Sequence, residues 1–336
     1  MFDTIVITAA NAAQARGYRA QTAGDRRVVS IPDPGGRRVG SLGATVNALR
    51  RLHREGLDRG AVLVCHSGGD ARRTPGYAAM GKAFVPMKDG RSMFEHIVKA
   101  MERLRLPAAG GVLVCSGDVL PRLDFKAVRF APAGVTGVAY PDGPFHARRH
   151  GVYKVARGAS RGCVPVAGFV QKPDVRRGVF WIDTGILFID WPTAERMRRL
   201  PVEGDIYVEF PQLLLGGFAP YSVNLLQRCE FFHIGSSREL LALLGNRGKY
   251  VDSVGCPVSL AGDNVVTNVP AGRFGHLELA KGECFTCIPV GRSGWFDLKY
   301  RIDDNFKADG LWERHGLGEI MPKVNYRRLL AVRNRL

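Results

Sequence analysis

The sequence predicts an α/β fold, and three observations carry that prediction. Short apolar, β-branched runs alternate with helical patterns as far as Asp118. Two glycine-rich, arginine-studded loops each adjoin such a run. After Gly134 the texture changes to consecutive strand-like pieces. Strand–helix alternation gives a mostly parallel sheet with helices on both faces. Ligands of such sheets sit outside the carboxyl ends of the strands.

The elements follow in order. Thr4–Ala9 reads as a first buried strand, and Ser41–Arg54 as a helix with Ser41 as N-cap and Val46, Leu49 and Leu52 on one face. Ala61–Cys65 is a strand, Ser92–Leu104 a helix with Phe94, Ile97, Val98 and Met101 at helical spacing, and Val112–Cys115 another strand. The runs VTGVAY, GVYKVA, VAGFVQKP and FWIDTGILFID read as a mixed sheet, followed by a helix at Thr193–Leu200 and an apolar stretch at Val208–Leu215. Near the end, VSLAGDNVVTNVPAG (258–272) and LELAKGECFTCIPVG (277–291) coincide at an offset of 19 residues at Leu260/Leu279, Ala261/Ala280, Thr267/Thr286, Pro270/Pro289 and Gly272/Gly291. That period points to coils of a parallel β-helix. We expect a first domain over 1–250 and a short second one over 251–336.

A chain of 336 residues can hold one large core or two domains. No apolar run approaches the roughly 20 residues of a membrane span, and the start lacks the pattern of a signal peptide. The seven cysteines include Cys65 and Cys115 at the ends of apolar runs. They read as core thiols, so a cytoplasmic location is expected. Cys284 and Cys287 form a CxxC pair with Cys256 nearby, but the repeat aligns them with Val265 and Asn268, as coil positions rather than zinc ligands. The formal charge of +17 raises nucleic acid as a partner. The arginine doublets, from Arg26–Arg27 to Arg327–Arg328, are scattered with no basic run or aromatic interleaving, which argues against it.

The loops carry the chemistry. DPGGRRVGSLGATVNAL (33–49) offers Gly35, Gly36, Arg37, Gly40, Ser41, Gly43 and Thr45 to a nucleotide. HSGGDARRTPGYAAMGK (66–82) offers Gly68, Gly69, Arg72, Arg73 and Lys82. Glycines let backbone amides approach an anion, and arginines pair with its oxygens. Two such loops imply a substrate with several phosphates. Neither has the Gly-Lys-Ser/Thr ending of a P-loop. Lys82 is a point charge for phosphate, or else a solvated lysine. Asp118, after the strand in LVCSGD, is placed to hold Mg2+, which takes one or two carboxylates plus phosphate oxygens; the plainer role is a turn cap. Lys172 in FVQKPDV is a candidate for a sugar phosphate, or an exposed lysine before a turn proline. Asp183, with Thr184 and Gly185 beside it, either meets sugar hydroxyls or ends a strand. Asp205 and Glu209 are a weaker acidic pair. His150 and His233 are isolated histidines, more often structural than ligating; His150 is grouped with the substrate-facing residues. No nucleophilic serine or cysteine is evident, and none is needed if the substrate itself attacks.

These residues resemble the L-fucokinase/GDP-fucose pyrophosphorylase family, specifically its fucose-1-phosphate guanylyltransferase part. The resemblance runs in order through FDTIVITAANAAQARGY, the two loops with KAFVP, CSGDVL, GVTGVAYP, HGVYKV, QKPDV, WIDTGILFID, GDIYVEF, FFHIGSSRELL and YRIDDNFK. The second loop also looks like a diverged GGxGTRLxPxxxxPK signature, with Lys82 at its lysine. The resemblance implies a glycosyltransferase-A-like (Rossmann-like) nucleotidyltransferase core followed by a β-helix. It implies Mg2+-dependent transfer of a guanylyl group from GTP to a sugar 1-phosphate, with pyrophosphate released. It puts Asp118 on the metal, Lys82 and a loop arginine on the triphosphate, and Lys172 on the sugar phosphate. No sugar-kinase signature is present, so a single activity is expected. His233 stands where related enzymes carry a second metal carboxylate, and Leu42 interrupts a glycine-rich loop.

The leading expectation is a GTP:sugar-1-phosphate guanylyltransferase with L-fucose 1-phosphate as acceptor; self-association is left open. A different base or sugar is the nearest alternative. A non-catalytic sugar-nucleotide sensor or regulatory subunit is another. Nucleic-acid binding would instead show steep salt dependence.

Overall fold

Burial on both faces selects the central strands. In β1 (Thr4–Ala9) all six residues are buried, as expected for a strand covered by helices on each side. The computed structural model describes residues 1–67, 71–253 and 258–333, so Gly68, Gly69 and Cys256 lie outside the described residues. After β1 come α1 (Ala12–Gln21), β2 (Val28–Pro32), α2 (Gly40–Arg54), β3 (Ala61–His66), α3 (Met93–Met101) and β4 (Gly111–Ser116). Then follow β5 (Val119–Leu123), β6 (Val135–Asp142), α4 (Pro144–Ala147), β7 (Gly151–Val155), β8 (Gly162–Gln171) and β9 (Phe180–Ile189). Next are α5 (Trp191–Met197), α6 (Glu209–Leu215), β10 (Tyr221–Leu225), β11 (Cys229–His233) and α7 (Ser237–Leu244).

Nine strands make one sheet in the order β2-β1-β3-β4-β9-β6-β10-β8-β7. The first four are mutually parallel, and β9 enters antiparallel between β4 and β6. The sheet is thus parallel where the sequence alternates strand with helix and mixed where strands follow one another. Alternation along each strand feeds two cores. Ile5, Ile7, Leu63, Cys65, Leu113 and Cys115 face α1, α3 and α7. Val6, Val62, Val64, Val112 and Val114 face α2, α5 and α6. Cys65 and Cys115 are buried free thiols on paired strands, as expected.

Local chemistry sets the helix starts. Ser92 caps α3 in a full capping box with Glu95, and Asp190 caps α5 from its side chain. Ser41 does not cap α2: that helix begins one residue earlier, after Val39, and Ser41 Oγ accepts from Ile206 N–H at 2.9 Å. The orphan donors of its first turn are met from outside, because Leu42 N–H and Gly43 N–H both donate to Gly204 O, at 2.8 and 3.4 Å. Helix α3 ends at Met101 rather than Leu104, and α5 at Met197 rather than Leu200.

Beyond α7, β12 (Lys249–Asp252), β14 (Asn264–Thr267) and β16 (Glu283–Val290) run parallel, with β17 (Gly294–Arg301) antiparallel at the edge. β13 (Val258–Leu260) pairs parallel with β15 (Leu277–Leu279). The repeat is visible in the register: Leu260 sits beside Leu279 and Thr267 beside Thr286, 19 residues on, and Thr267 Oγ1 donates to Thr286 Oγ1 at 2.8 Å. Cys284 and Cys287 feed different hydrophobic clusters, on opposite faces of β16, so the two thiols do not converge on one ion. Short helices α8 (Leu311–Arg314), α9 (Leu317–Ile320) and α10 (Tyr326–Ala331) return to the first core, where the Tyr326 hydroxyl donates to Ala79 O at 2.7 Å. Among the described residues no helix is long and apolar enough to cross a membrane.

Candidate active site

The carboxyl ends of β1, β3 and β4 open into a cleft of about 1140 Å³ that is also lined by residues of β7–β9 and of the turn holding α4. Both described loop flanks and the Ser116–Asp118 turn reach this cleft.

Asp118 is its polar centre. Oδ1 accepts the Ser116 hydroxyl at 2.6 Å, and Oδ2 accepts Lys82 Nζ at 3.3 Å. Lys82 is only 3% exposed, and burial pushes its ammonium below the usual lysine range while Asp118 opposes that shift. Lys82 also donates to Gly235 O at 3.4 Å. It is therefore no solvated surface lysine: the fold holds it in a carboxylate- and carbonyl-lined position beside the cleft.

The first loop is positioned differently from the sequence reading. Gly40 and Ser41 line the cleft. Gly35, Gly36 and Arg37 are exposed and off its wall, and the neighbouring Arg38 lines it instead. Gly43 serves packing, since a Cβ there would come within 2.6 Å of Glu203 N. Thr45 is buried beneath the wall, where its hydroxyl meets His66 Nε2 at 3.0 Å. His66 also reaches Thr8 at 3.3 Å, tying β1, α2 and β3 together under the cleft. Burial lowers its pKa to about 4, so the ring is neutral near pH 7.

In the second loop Arg73 lines the cleft, and Arg72 does not. The Arg72 guanidinium lies over Trp312 at 5.0 Å and pairs with Glu313 at 3.0 Å. The loop is gripped from the C-terminal part at many points. Gly76 O accepts from Thr267 Oγ1 and Asn268 Nδ2, each at 3.2 Å. Arg73 O accepts Ser237 N–H at 3.0 Å. The Tyr77 hydroxyl donates to Asp252 Oδ2 at 2.7 Å, and Arg333 Nη2 donates to that oxygen at 2.7 Å and to Phe84 O at 3.0 Å. Lys82 lies between Tyr77 and Phe84, so this network fixes its backbone.

Lys172, His150, Arg148 and Arg149 also line the cleft. The His150 ring stacks on Phe231 with centroids 5.6 Å apart. Burial, reinforced by His146, His233, Lys172 and Arg149, lowers its pKa to about 4. Asp183, Thr184 and Gly185 also face the cleft. Asp183 Oδ1 accepts Gly185 N–H at 3.0 Å and the Tyr153 hydroxyl at 3.4 Å, and burial raises its pKa to about 7. Asp205 lines the cleft; Glu209 does not, its Oε2 instead accepting Asp205 N–H at 2.6 Å. Sequence reasoning missed Arg38, Arg148, Arg149, Ser116 and Glu239. The cationic string FHARRH between two strands was the one local signal for part of this wall.

The donor set fits a magnesium ion of the kind that phosphates complete. Asp118 supplies one carboxylate at the cleft wall, and among the described residues no cluster of three His, Cys, Asp or Glu side chains forms an all-protein cage. Mg2+ is commonly held by one or two carboxylates together with substrate phosphates and waters.

Comparison with known proteins bears on this cleft. The sequence profile described as "Fucose pyrophosphorylase domain" matches residues 54–210. An Arabidopsis thaliana protein named bifunctional fucokinase/GDP-fucose pyrophosphorylase is 30% identical over 243 residues, covering 55% of this chain and 23% of that protein. A Bacteroides fragilis L-fucokinase/L-fucose-1-P guanylyltransferase is 25% identical over 361 residues, covering 82% of this chain and 38% of that protein. A Homo sapiens fucose-1-phosphate guanylyltransferase is 27% identical over 170 residues, covering 45% and 28%. The chain thus spans between about a quarter and two fifths of these curated relatives. Asp118, Lys82, Lys172 and Asp183 all fall inside the matched segment. Over residues 54–210, the chain is similar to the fucose pyrophosphorylase domain family.

Proposed function

We propose that this chain is a sugar-1-phosphate guanylyltransferase that joins GTP to a sugar 1-phosphate, with L-fucose 1-phosphate the leading acceptor. The observation that carries the reading is one cleft lined by Asp118, which holds the buried Lys82 beside it, and by the cationic side chains Arg38, Arg73, Arg148, Arg149 and Lys172. It is supported by the family match and by relatives named for this activity.

In the reaction an oxygen of the sugar phosphate attacks the α-phosphorus of GTP in line. The new O–P bond forms as the bond to the β-phosphate oxygen breaks, and pyrophosphate leaves. The protein's work is positioning and charge neutralisation. Lys82, Arg73 and Arg38 hold the triphosphate. Lys172, with Arg148 and Arg149, holds the sugar phosphate. Asp183, Thr184 and Gly185 meet sugar hydroxyls, a role suited to a carboxyl group that keeps its proton up to about pH 7. Gly40 and Ser41 border the nucleotide. Asp118 holds the magnesium ion, which neutralises phosphate charge when bound. Residues 1–250 form a glycosyltransferase-A-like core in this reading. In the same reading the strands β12–β17 belong to a short β-helix that buttresses the second loop.

The test is pyrophosphate release across four nucleoside triphosphates and a panel of sugar 1-phosphates. Release needing both GTP and one sugar phosphate supports the reading. Nucleotide-sugar binding without release would favour a sensor.

A further inference from the structure

A second hollow, of about 660 Å³, lies between the C-terminal half of α2 and the end of α5. Arg50, Arg54, Arg198 and Arg199 line it, with Glu195 as its one acidic side chain. It shares no lining residue with the cleft. The first turn of α2, at Gly40, Ser41 and Ala44, serves the cleft, and the far half of the same helix serves the hollow.

Packing brings these cations together. Val46, Leu49 and Leu52 of α2 share one buried cluster with Ala194 and Met197 of α5. Arg50 and Arg54, one helical turn apart, flank that contact and border the end of α5. Two of the four arginines are committed to the fold. Arg50 Nε and Nη2 donate to Arg198 O and Leu200 O at 2.8 and 2.9 Å, satisfying carbonyls where α5 ends. Arg198 Nη1 donates to Asp58 Oδ2 at 2.8 Å. Arg54 and Arg199 are exposed, and their guanidinium groups have no hydrogen-bond or ion-pair partner among the described residues. Cations gathered around one hollow repel one another. Glu195, 3.9 Å from Arg198, offsets little of that. An anion between them relieves it, and the planar guanidinium fork matches phosphate oxygens.

The hollow is more than a charge trap. Pro34 and Val202 give it an apolar side, to which the arginine stems add. Its volume is that of a small-molecule site, commonly about 300–1,000 Å³, and exceeds what a bare phosphate ion fills.

We propose that this hollow is a second anion site, separate from the cleft, that takes a small organic phosphate monoester. Arg54 and Arg199 pair with the phosphate oxygens, Arg50 adds a charge held in place by the α5 carbonyls, and the carbon skeleton lies against Pro34 and Val202. The inference uses no cleft residue and so goes beyond the guanylyltransferase reading without resting on it.

The experiment is calorimetric titration of the full chain at low salt with ribose 5-phosphate, AMP and inorganic phosphate. The wild type should bind at least one of the two monoesters, and bind it at least tenfold more tightly than inorganic phosphate. Arg54→Ala/Arg199→Ala should weaken that binding roughly tenfold or more, with an unchanged urea unfolding curve because both side chains are exposed and unpaired. Glu195→Gln should tighten it severalfold. Lys172→Ala, in the cleft, should leave it unchanged. No binding of either monoester overturns the proposal, as does equal affinity in wild type and Arg54→Ala/Arg199→Ala or weaker binding in Glu195→Gln. Inorganic phosphate bound as tightly as the monoesters would mean an adventitious ion only and overturns it too. Monoester binding that depends on Arg54 and Arg199, in a chain with no nucleotidyl transfer, would uphold this site and refute the reading of the cleft.

Discussion

Substituting Arg333→Met should loosen the second loop from a distance. Arg333 is 7% exposed and Asp252 is 2% exposed. Asp252 Oδ2 accepts Arg333 Nε at 3.0 Å, Arg333 Nη2 at 2.7 Å and the Tyr77 hydroxyl at 2.7 Å, while Oδ1 has no hydrogen-bond partner. Removing the guanidinium leaves a buried carboxylate with Tyr77 as its remaining partner among these. Breaking a buried pair in this way costs about 3–5 kcal/mol, a large part of the roughly 5–15 kcal/mol that holds a domain folded. Phe84 O also loses its donor. The assay is equilibrium urea unfolding of Arg333→Met, Asp252→Asn and the double variant. The double variant should recover at least half of the loss, because it removes the unpaired charge. Turnover should fall in Arg333→Met even under fully folding conditions, since Tyr77 and Phe84 bracket Lys82. A change within about 0.5 kcal/mol, typical of a surface position, would refute the reasoning.

Other predictions concern the cleft itself. Asp118→Asn, nearly isosteric, should abolish turnover while the chain still folds, with some loss of stability because buried Lys82 is left with a neutral partner; unchanged turnover would remove Asp118 from the metal site. Lys82→Ala should weaken triphosphate handling by at least roughly tenfold, the order of one lost charge-assisted contact; unaltered kinetics would show that Lys82 serves only the fold. For His66, the folded value of about 4 lies below its ordinary 6.5. The unfolded chain therefore binds a proton the folded chain refuses. The stabilisation is present above about pH 6.5 and is lost as pH falls toward 4, by roughly 3 kcal/mol. His66→Gln should flatten that acid limb, and parallel wild-type and variant limbs would contradict it. Asp183 runs the other way: its pKa is raised to about 7, so its stabilisation is lost as pH rises through 7. Asp183→Asn should remove that decline, and an unchanged profile would show the carboxyl is not protonated in the fold.

The fold was legible where local chemistry decides it. β1, β3 and β4 are continuous apolar runs because helices cover both their faces, and the capping box at Ser92 marks the start of α3. The 19-residue repeat announced the side-by-side register of Thr267 and Thr286 before any coordinates were needed. What was illegible depends on contacts remote in sequence. Arg72 and Arg73 are adjacent, and contacts with Trp312 and Glu313, remote in sequence, hold Arg72 away while Arg73 faces the cleft. Gly43 looks like a phosphate-loop glycine but exists to admit the backbone of Glu203. Ser41 looks like a cap, yet Gly204 O meets the amides behind it. Glu239 gave no sequence signal because the fold alone brings it to the cleft, where its carboxylate accepts Gly235 N–H.

The central claim is tested most directly by pyrophosphate release with Mg2+ or Mn2+, GTP and L-fucose 1-phosphate, each component omitted in turn. The account predicts release that requires the metal, GTP and the sugar phosphate together, and that vanishes in Asp118→Asn. Release independent of any sugar phosphate, or none with any triphosphate and sugar phosphate tried, would contradict it.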